Sequence, residues 1–214
     1  NLTKITLPDG LTAIGSAAFS NCTALTEIKL PDSIGLIANN VFEYSGLTSV
    51  TIPDGTEKMG CGLFYGCAAL TAVTLPYAGH TLAAANGNPP VPAEGEELPE
   101  ETFSSIIYND SITTVTISGG TTIPDGFFYG RSNLTTINLP ATITEIGNEA
   151  FRSTGLTAIT LPSSLVVIGE SAFHSCGTLT AVEIPASVKE IGQYAFGECA
   201  TLGTVTFASG LQTL

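Results

Sequence analysis

Tryptophan is absent from this 214-residue chain, methionine occurs once and histidine twice. With only His80 and His174 to draw on, no paired-histidine metal site and no Ser-His-Asp set can be assembled from spacing, and neither a metal nor a cofactor is expected. Basic residues are as scarce: six Lys and Arg against nineteen Asp and Glu give a net charge of −13. A surface of that sign repels phosphate backbones and anionic lipid faces, which excludes nucleic acid as a partner. No run of eighteen or more apolar residues occurs, so no membrane insertion of this segment is expected. The opening residues lack the charged-then-apolar pattern of a secretion signal. No glycine-rich phosphate loop precedes a helical pattern, since the glycines recur at turns.

What the chain does contain is hydrophobic residues, at 43%, too many for a disordered polymer. They are arranged periodically. A strand-like phrase recurs nine times, beginning at Leu2, Leu25, Leu47, Leu70, Ile112, Leu134, Leu156, Leu179 and Leu202, as in "LTKITLP", "LTSVTIP" and "LTAVEIP". The steps are 23, 22, 23, 42, 22, 22, 23 and 23 residues, so the chain reads as a solenoid with one swollen repeat. Asn1 already lies inside the pattern, and the chain is read as one repeat domain over 1–214, part of a longer protein, with a loop insertion at about 77–97.

Period-two alternation puts Ile5, Leu7, Ile28, Leu30, Val50 and Ile52 on a buried face. The Pro that usually follows has no N–H for a ladder and ends the strand. Pro-Asp-Gly turns then begin at Pro8, Pro53 and Pro124. The return half of each unit carries apolar residues such as Ile14 and Ile146 and a short turn ending in Phe. Eight of the ten Phe share this phase: Phe19, Phe42, Phe64, Phe103, Phe128, Phe151, Phe173 and Phe196. Each lies five residues after an apolar anchor, and stacked coils would align the rings in a column near the ~4.8 Å strand spacing. No unit can bury its apolar face alone, so each repeats its neighbour's shape.

The phrase L-x-x-I-x-L-P followed by I-G-x-x-A-F-x-x-C, as in "LVVIGESAFHSC", resembles the BspA-type leucine-rich repeat, the treponemal class known from bacterial surface proteins. The resemblance covers nearly the whole chain outside the insertion. It implies a leucine-rich-repeat solenoid: a right-handed coil with one parallel β-sheet on the concave side and short turns or helical turns on the convex side. It further implies an extracellular, cell-surface location and adhesion to host matrix proteins or to other cells.

Four of the five cysteines, Cys22, Cys67, Cys176 and Cys199, stand three residues before the strand leucine. Cys22 and Cys67 would be two coils, ~9.6 Å, apart, beyond the ~7 Å reach of a disulfide. Buried free thiols are expected at this phase. His174 follows Phe173 and reads as a solvent-facing loop residue. The acidic run "PAEGEELPEE" lacks the interleaved Asp, Asn and Gly of a calcium loop and reads as solvated.

With the core fixed by the repeat, recognition falls to outward strand positions and the insertion. The candidate ligand-binding residues are Lys4, Thr6, Glu27, Lys29, Thr51, Thr74, Thr116, Asn138, Thr160 and Glu183 on the concave face, with Tyr77 and His80 from the insertion. That face is mostly short hydroxyls and methyls and carries no Trp, Tyr or Arg. The loops after Phe present Tyr44, Tyr65 and Tyr129 instead. The expected function is a non-enzymatic adhesion or protein-interaction module that binds a protein or glycan on a host or neighbouring cell. The alternative is a spacer or stalk with no ligand of its own.

Overall fold

The computed structural model describes residues 2–78 and 109–208. Two compact units emerge, the first holding 1–76 and 80–112 and the second 77–79 and 113–214. Both are stacks of the same coil. The first contains β1 (Ala13–Ile14), β2 (Leu36–Ile37), β3 (Ser49–Thr51), β4 (Lys58–Met59) and β5 (Ala72–Leu75). The second contains β6 (Thr114–Ile117), β7 (Thr122–Ile123), β8 (Thr136–Asn138), β9 (Glu145–Ile146), β10 (Val167–Ile168), β11 (Ala181–Ile184), β12 (Glu190–Ile191) and β13 (Thr204–Phe207).

Longer strands come from the leucine phrase and pair in parallel with the same phase of another coil: Val50 with Val73 in the first unit, Val115 with Ile137 and Val182 with Val205 in the second. β3 and β8 alternate exposed, buried, exposed, and β5, β6 and β11 keep the same period of two. The phrases at Leu2, Leu25 and Leu156 hold the phase without forming strands. Around Leu156 the ladder bonds are long, 3.4 Å both for Thr157 N–H to Thr135 O and for Thr180 N–H to Thr157 O.

A second series of parallel strands was not anticipated. Two-residue strands join Ile14 to Ile37 and Ile37 to Met59 in the first unit, and Ile123 to Ile146, Ile146 to Ile168 and Ile168 to Ile191 in the second. Glycine follows Met59, Ile146, Ile168 and Ile191, where the coils nearly touch, while Ala38 and Pro124 stand at the same phase after Ile37 and Ile123. A Cβ at Gly169 would meet the Asn148 nitrogen and the Gly147 carbonyl carbon at 2.6 Å, far inside van der Waals contact.

Among the described residues the Phe-bearing arm is a run of turns rather than helix, and Phe sits at its centre, not its end. The residues two before and two after each Phe have left-handed backbones: Ala17 and Asn21 around Phe19, Glu149 and Ser153 around Phe151, Ser171 and Ser175 around Phe173. This alternation turns every second N–H towards the next coil. Ala17, Phe19 and Asn21 donate to Asn39, Val41 and Glu43 at 2.9, 2.9 and 2.7 Å, and Glu149, Phe151 and Ser153 donate to Glu170, Ala172 and His174 at 2.8 Å. A left-handed L-residue costs about 1–2 kcal/mol, and three parallel inter-coil hydrogen bonds offset that strain.

The expected column of rings forms. In the second unit Phe128, Phe151, Phe173 and Phe196 stack at 5.1, 5.1 and 5.2 Å with planes within 8°. In the first, Phe19, Phe42 and Phe64 stack at 5.9 and 6.0 Å. These exceed the strand spacing because parallel rings prefer an offset to a face-to-face sandwich. Phe103 and the acidic run lie outside the described residues.

The cysteine rank is structural. Cys67 and Cys176 are fully buried free thiols, and Cys22 and Cys199 are half-buried. Each of Cys67, Cys176 and Cys199 donates its S–H to the carbonyl of the preceding coil's Phe, at 2.9, 3.0 and 3.1 Å. Burial pushes all three thiols above their ordinary pKa.

Candidate functional site

The outward positions of the longer strands are where the sequence places them. In the first unit Lys4, Thr6, Glu27, Lys29 and Thr51 are exposed and Thr74 is half-buried. Register sets Thr51 beside Thr74. In the second unit Thr116 and Asn138 are paired, Asn138 Nδ2 donating to Thr116 Oγ1 at 3.0 Å, and Thr160 and Glu183 are exposed. Parallel in-register pairing thus sets outward residues of neighbouring coils side by side, Thr51 with Thr74, Thr116 with Asn138 and Glu183 with Thr206. Tyr77 is half-buried, its Cβ near Gly120, whose left-handed backbone (φ 83°) leaves the room. His80 lies outside the described residues.

Two hollows are lined by side chains that the sequence did not group. The first, in the second unit, is about 300 Å³ and is lined by Gly147, Gly169 and Gly192 together with Asp125, Glu145, Glu170 and Glu190. Much of its polar rim is committed to coil stacking. Asp125 Oδ1 accepts the Asn148 N–H at 2.7 Å, and Asn148 Oδ1 accepts the Glu170 N–H at 2.8 Å. Among the described residues, no three His, Cys, Asp or Glu side chains gather closely enough to hold a metal ion.

The second hollow, in the first unit, is about 290 Å³ and is lined by Tyr44, Tyr65, Gly66, Ala68, Asn109, Asp110 and Ser111. The two rings meet edge-on, 5.5 Å apart at 81°. Their hydrogen bond, followed by the charge of Tyr65 and slight burial, raises the Tyr44 hydroxyl above its ordinary pKa. Tyr44 lies across the backbone of Gly66, so close that a Cβ there would overlap the ring. Asn109 fixes the opposite wall, with Nδ2 donating to Phe64 O at 3.1 Å and to Cys67 O at 2.8 Å, while its Oδ1 accepts the Ser111 N–H at 2.9 Å. Sequence spacing reveals the tyrosines, which flank Phe42 and Phe64, but not Asn109, 42 to 45 residues from its partners.

His174 is not solvent-facing. Its side chain is 15% exposed and lies over Gly197, where a Cβ would come within 2.9 Å of Cδ2. Ser175 Oγ is 2.8 Å from His174 Nδ1 and donates to Glu198 Oε2 at 3.1 Å. One hydroxyl thus sits between the imidazole and the carboxylate.

Ranks of parallel strands, a stacked Phe column and close glycine contacts define a parallel-strand repeat solenoid of the leucine-rich class. The BspA-type leucine-rich repeat region matches residues 1–84 and 96–214 in six copies, and the chain belongs to that family. A leucine-rich repeat protein from Bacteroides ovatus is 28% identical with a TM-score of 0.67, covering 93% of this chain and 47% of its own. The leucine-rich repeat protein of T. pallidum is also 28% identical, with a TM-score of 0.48, over 74% of this chain and 57% of its own. A leucine-rich cell surface protein from Faecalibacterium prausnitzii is 23% identical with a TM-score of 0.42, over 95% and 59%. This chain thus spans about half the length of the Bacteroides protein. No curated protein matches it.

Proposed function

We propose that this chain is a protein-interaction module of a bacterial cell surface. It adheres to a macromolecule of a host or neighbouring cell through the outward ranks of its longer strands. Membership of the BspA-type family supports the class and the location. The in-register alternation carries the choice of surface. Inward residues such as Val50 and Val73 are consumed by packing, while Thr51 and Thr74 in the first unit and Thr116 and Asn138 in the second form outward polar pairs. Binding of this kind needs no catalytic set.

The test is surface plasmon resonance of the immobilised chain against purified extracellular-matrix proteins and cell-surface glycans. A micromolar ligand whose affinity drops at least tenfold for the double variant Thr51→Arg/Thr74→Arg is the expected result. Absence of binding by the parent protein across the panel would contradict the reading and leave the spacer. The mostly small-residue composition of the face, without Trp, Tyr or Arg, favours that second reading, because interface hot spots draw on those residues.

A further inference from the structure

We infer that Cys176 and Cys199, in adjacent coils of the second unit, are a thiol pair that a small-molecule disulfide of the glutathione class converts into an inter-coil disulfide. All five cysteines are free thiols, and only these two share one phase of neighbouring coils. Cys22 and Cys67 share the phase as well, but Ser45 stands in the coil between them, its Oγ 3.4 Å from Cys67 Sγ. Cys61 lies at another phase.

Register is fixed on both sides of the pair. Ile168 is set beside Ile191 and Ala181 beside Thr204, the same offset that joins Cys176 to Cys199. Next to the pair, Ser175 N–H donates to Gly197 O at 2.8 Å. Same-phase residues of parallel neighbours have Cα atoms about 4.8 Å apart, inside the span of roughly 4.4–6.8 Å that a disulfide accepts. Side chains at this phase also meet. Thr154 Oγ1 lies 3.2 Å from Cys176 Sγ, and Ser45 Oγ stands to Cys67 in the same way. Cys199 repeats that relation to Cys176: its thiol is hydrogen-bonded by the Cys176 backbone and feels the charge of the Cys176 thiol.

Oxidation leaves no buried carbonyl without a partner. The two S–H groups now donate to Phe151 O and Phe173 O. Phe151 O keeps the Thr154 N–H at 3.2 Å and the Thr154 hydroxyl at 2.8 Å, and Phe173 O keeps the Cys176 N–H at 3.2 Å. Access sets the order of events, because Cys199 is half-buried and Cys176 fully buried. The Cys199 thiolate attacks one sulfur of oxidised glutathione, breaking its S–S bond and expelling one glutathione thiolate. The Cys176 thiolate then attacks Cys199 Sγ and expels the second. Two protein thiols are oxidised, one external disulfide is reduced to two thiols, and the two protons pass to the departing thiolates. The bond staples down β13, which among the described strands pairs with β11 alone and leaves Val205 and Phe207 exposed.

This inference does not depend on what the chain binds. In the experiment the folded chain is incubated with oxidised glutathione, alkylated with N-ethylmaleimide, cut with trypsin and analysed by mass spectrometry. Trypsin cuts after Lys189, so the bond joins peptides 153–189 and 190–214. That cross-link, reversed by dithiothreitol, is the expected result, together with amide exchange in β13 slowed at least about tenfold. Cys176→Ser should trap glutathione on Cys199, and Cys199→Ser should leave Cys176 a free thiol. Any outcome without the cross-link overturns the proposal, whether all five thiols survive, Cys199 only carries glutathione, or disulfide-linked dimers form. A Cys176–Cys199 bond that forms as readily in urea as in the folded chain also overturns it, because closeness in sequence rather than stacking of the coils would then explain the pairing.

Discussion

Replacing Phe151 by Ala removes a ring that is completely buried and stacked on both sides, on Phe128 and on Phe173, each at 5.1 Å. Buried Phe→Ala changes cost about 3–5 kcal/mol, the cavity included, and two parallel neighbours that lose their partner place Phe151 at the upper end. Phe196 is half-buried and stacks on Phe173 at 5.2 Å, with no described ring on its other face. Its removal should cost roughly half as much, about 2.5 kcal/mol. With a urea m-value of about 2 kcal/mol/M, the two variants should differ by ~1 M in midpoint. Circular dichroism at equilibrium in urea measures this, with amide exchange locating the lost protection. In Phe151→Ala the amides of Glu149, Phe151 and Ser153, which bond to the next coil, should lose protection first. Equal midpoints for the two variants, or a loss below about 1 kcal/mol at Phe151, would refute the idea that each ring is held by its neighbours.

Gly169→Ala should destabilise by about 2 kcal/mol or more, since its Cβ would strike the backbone of Asn148, whereas Gly177→Ala, with nothing within 4 Å, should be neutral; thermal melts of the pair decide. Ser153→Gly should stabilise by up to about 1 kcal/mol, because φ is 56° there, and a drop in melting temperature would contradict the left-handed assignment. Burial raises the Cys67 and Cys176 thiols, so their contribution to stability is intact below the unfolded thiol value of about 8.5 and is lost as pH rises through the folded values. The urea midpoint should therefore fall as pH rises above about 8.5, and fall less in Cys67→Ala/Cys176→Ala.

The apolar phase of the coil was readable because burial on one side of a strand imposes strict alternation, and Val50, Val73, Val115 and Val182 are all buried as that rule requires. The Phe column was readable because one bulky residue recurs at one phase. Other features leave weaker traces. A two-residue strand such as Glu145–Ile146 is too short to alternate, so the second sheet series carried no periodic signal. The paired left-handed positions carry Gly at 62, 66, 126 and 130, but Glu, Ser, Tyr, Ala or Asn in the other coils, where inter-coil hydrogen bonds rather than residue preference impose the conformation. His174 looked exposed because a loop position after Phe usually is, and the bare backbone of Gly197 in the next coil is what lets the ring lie down. The tyrosine hollow was half legible: the rings lie two and one residues past successive Phe of the column, but the wall built by Asn109 depends on a contact that no local pattern encodes.

Adjacent residues of β3 separate scaffold from surface most directly, because Val50 is 4% exposed and Thr51 faces out. Melting temperature and matrix-protein binding should be measured side by side for Val50→Arg and Thr51→Arg. Val50→Arg is expected to unfold the first unit, and Thr51→Arg to leave the melting temperature within about 2 °C while weakening the ligand. A tolerated Val50→Arg, or a Thr51→Arg that unfolds the protein as readily, would contradict the division between an inward face that only packs and an outward face that recognises.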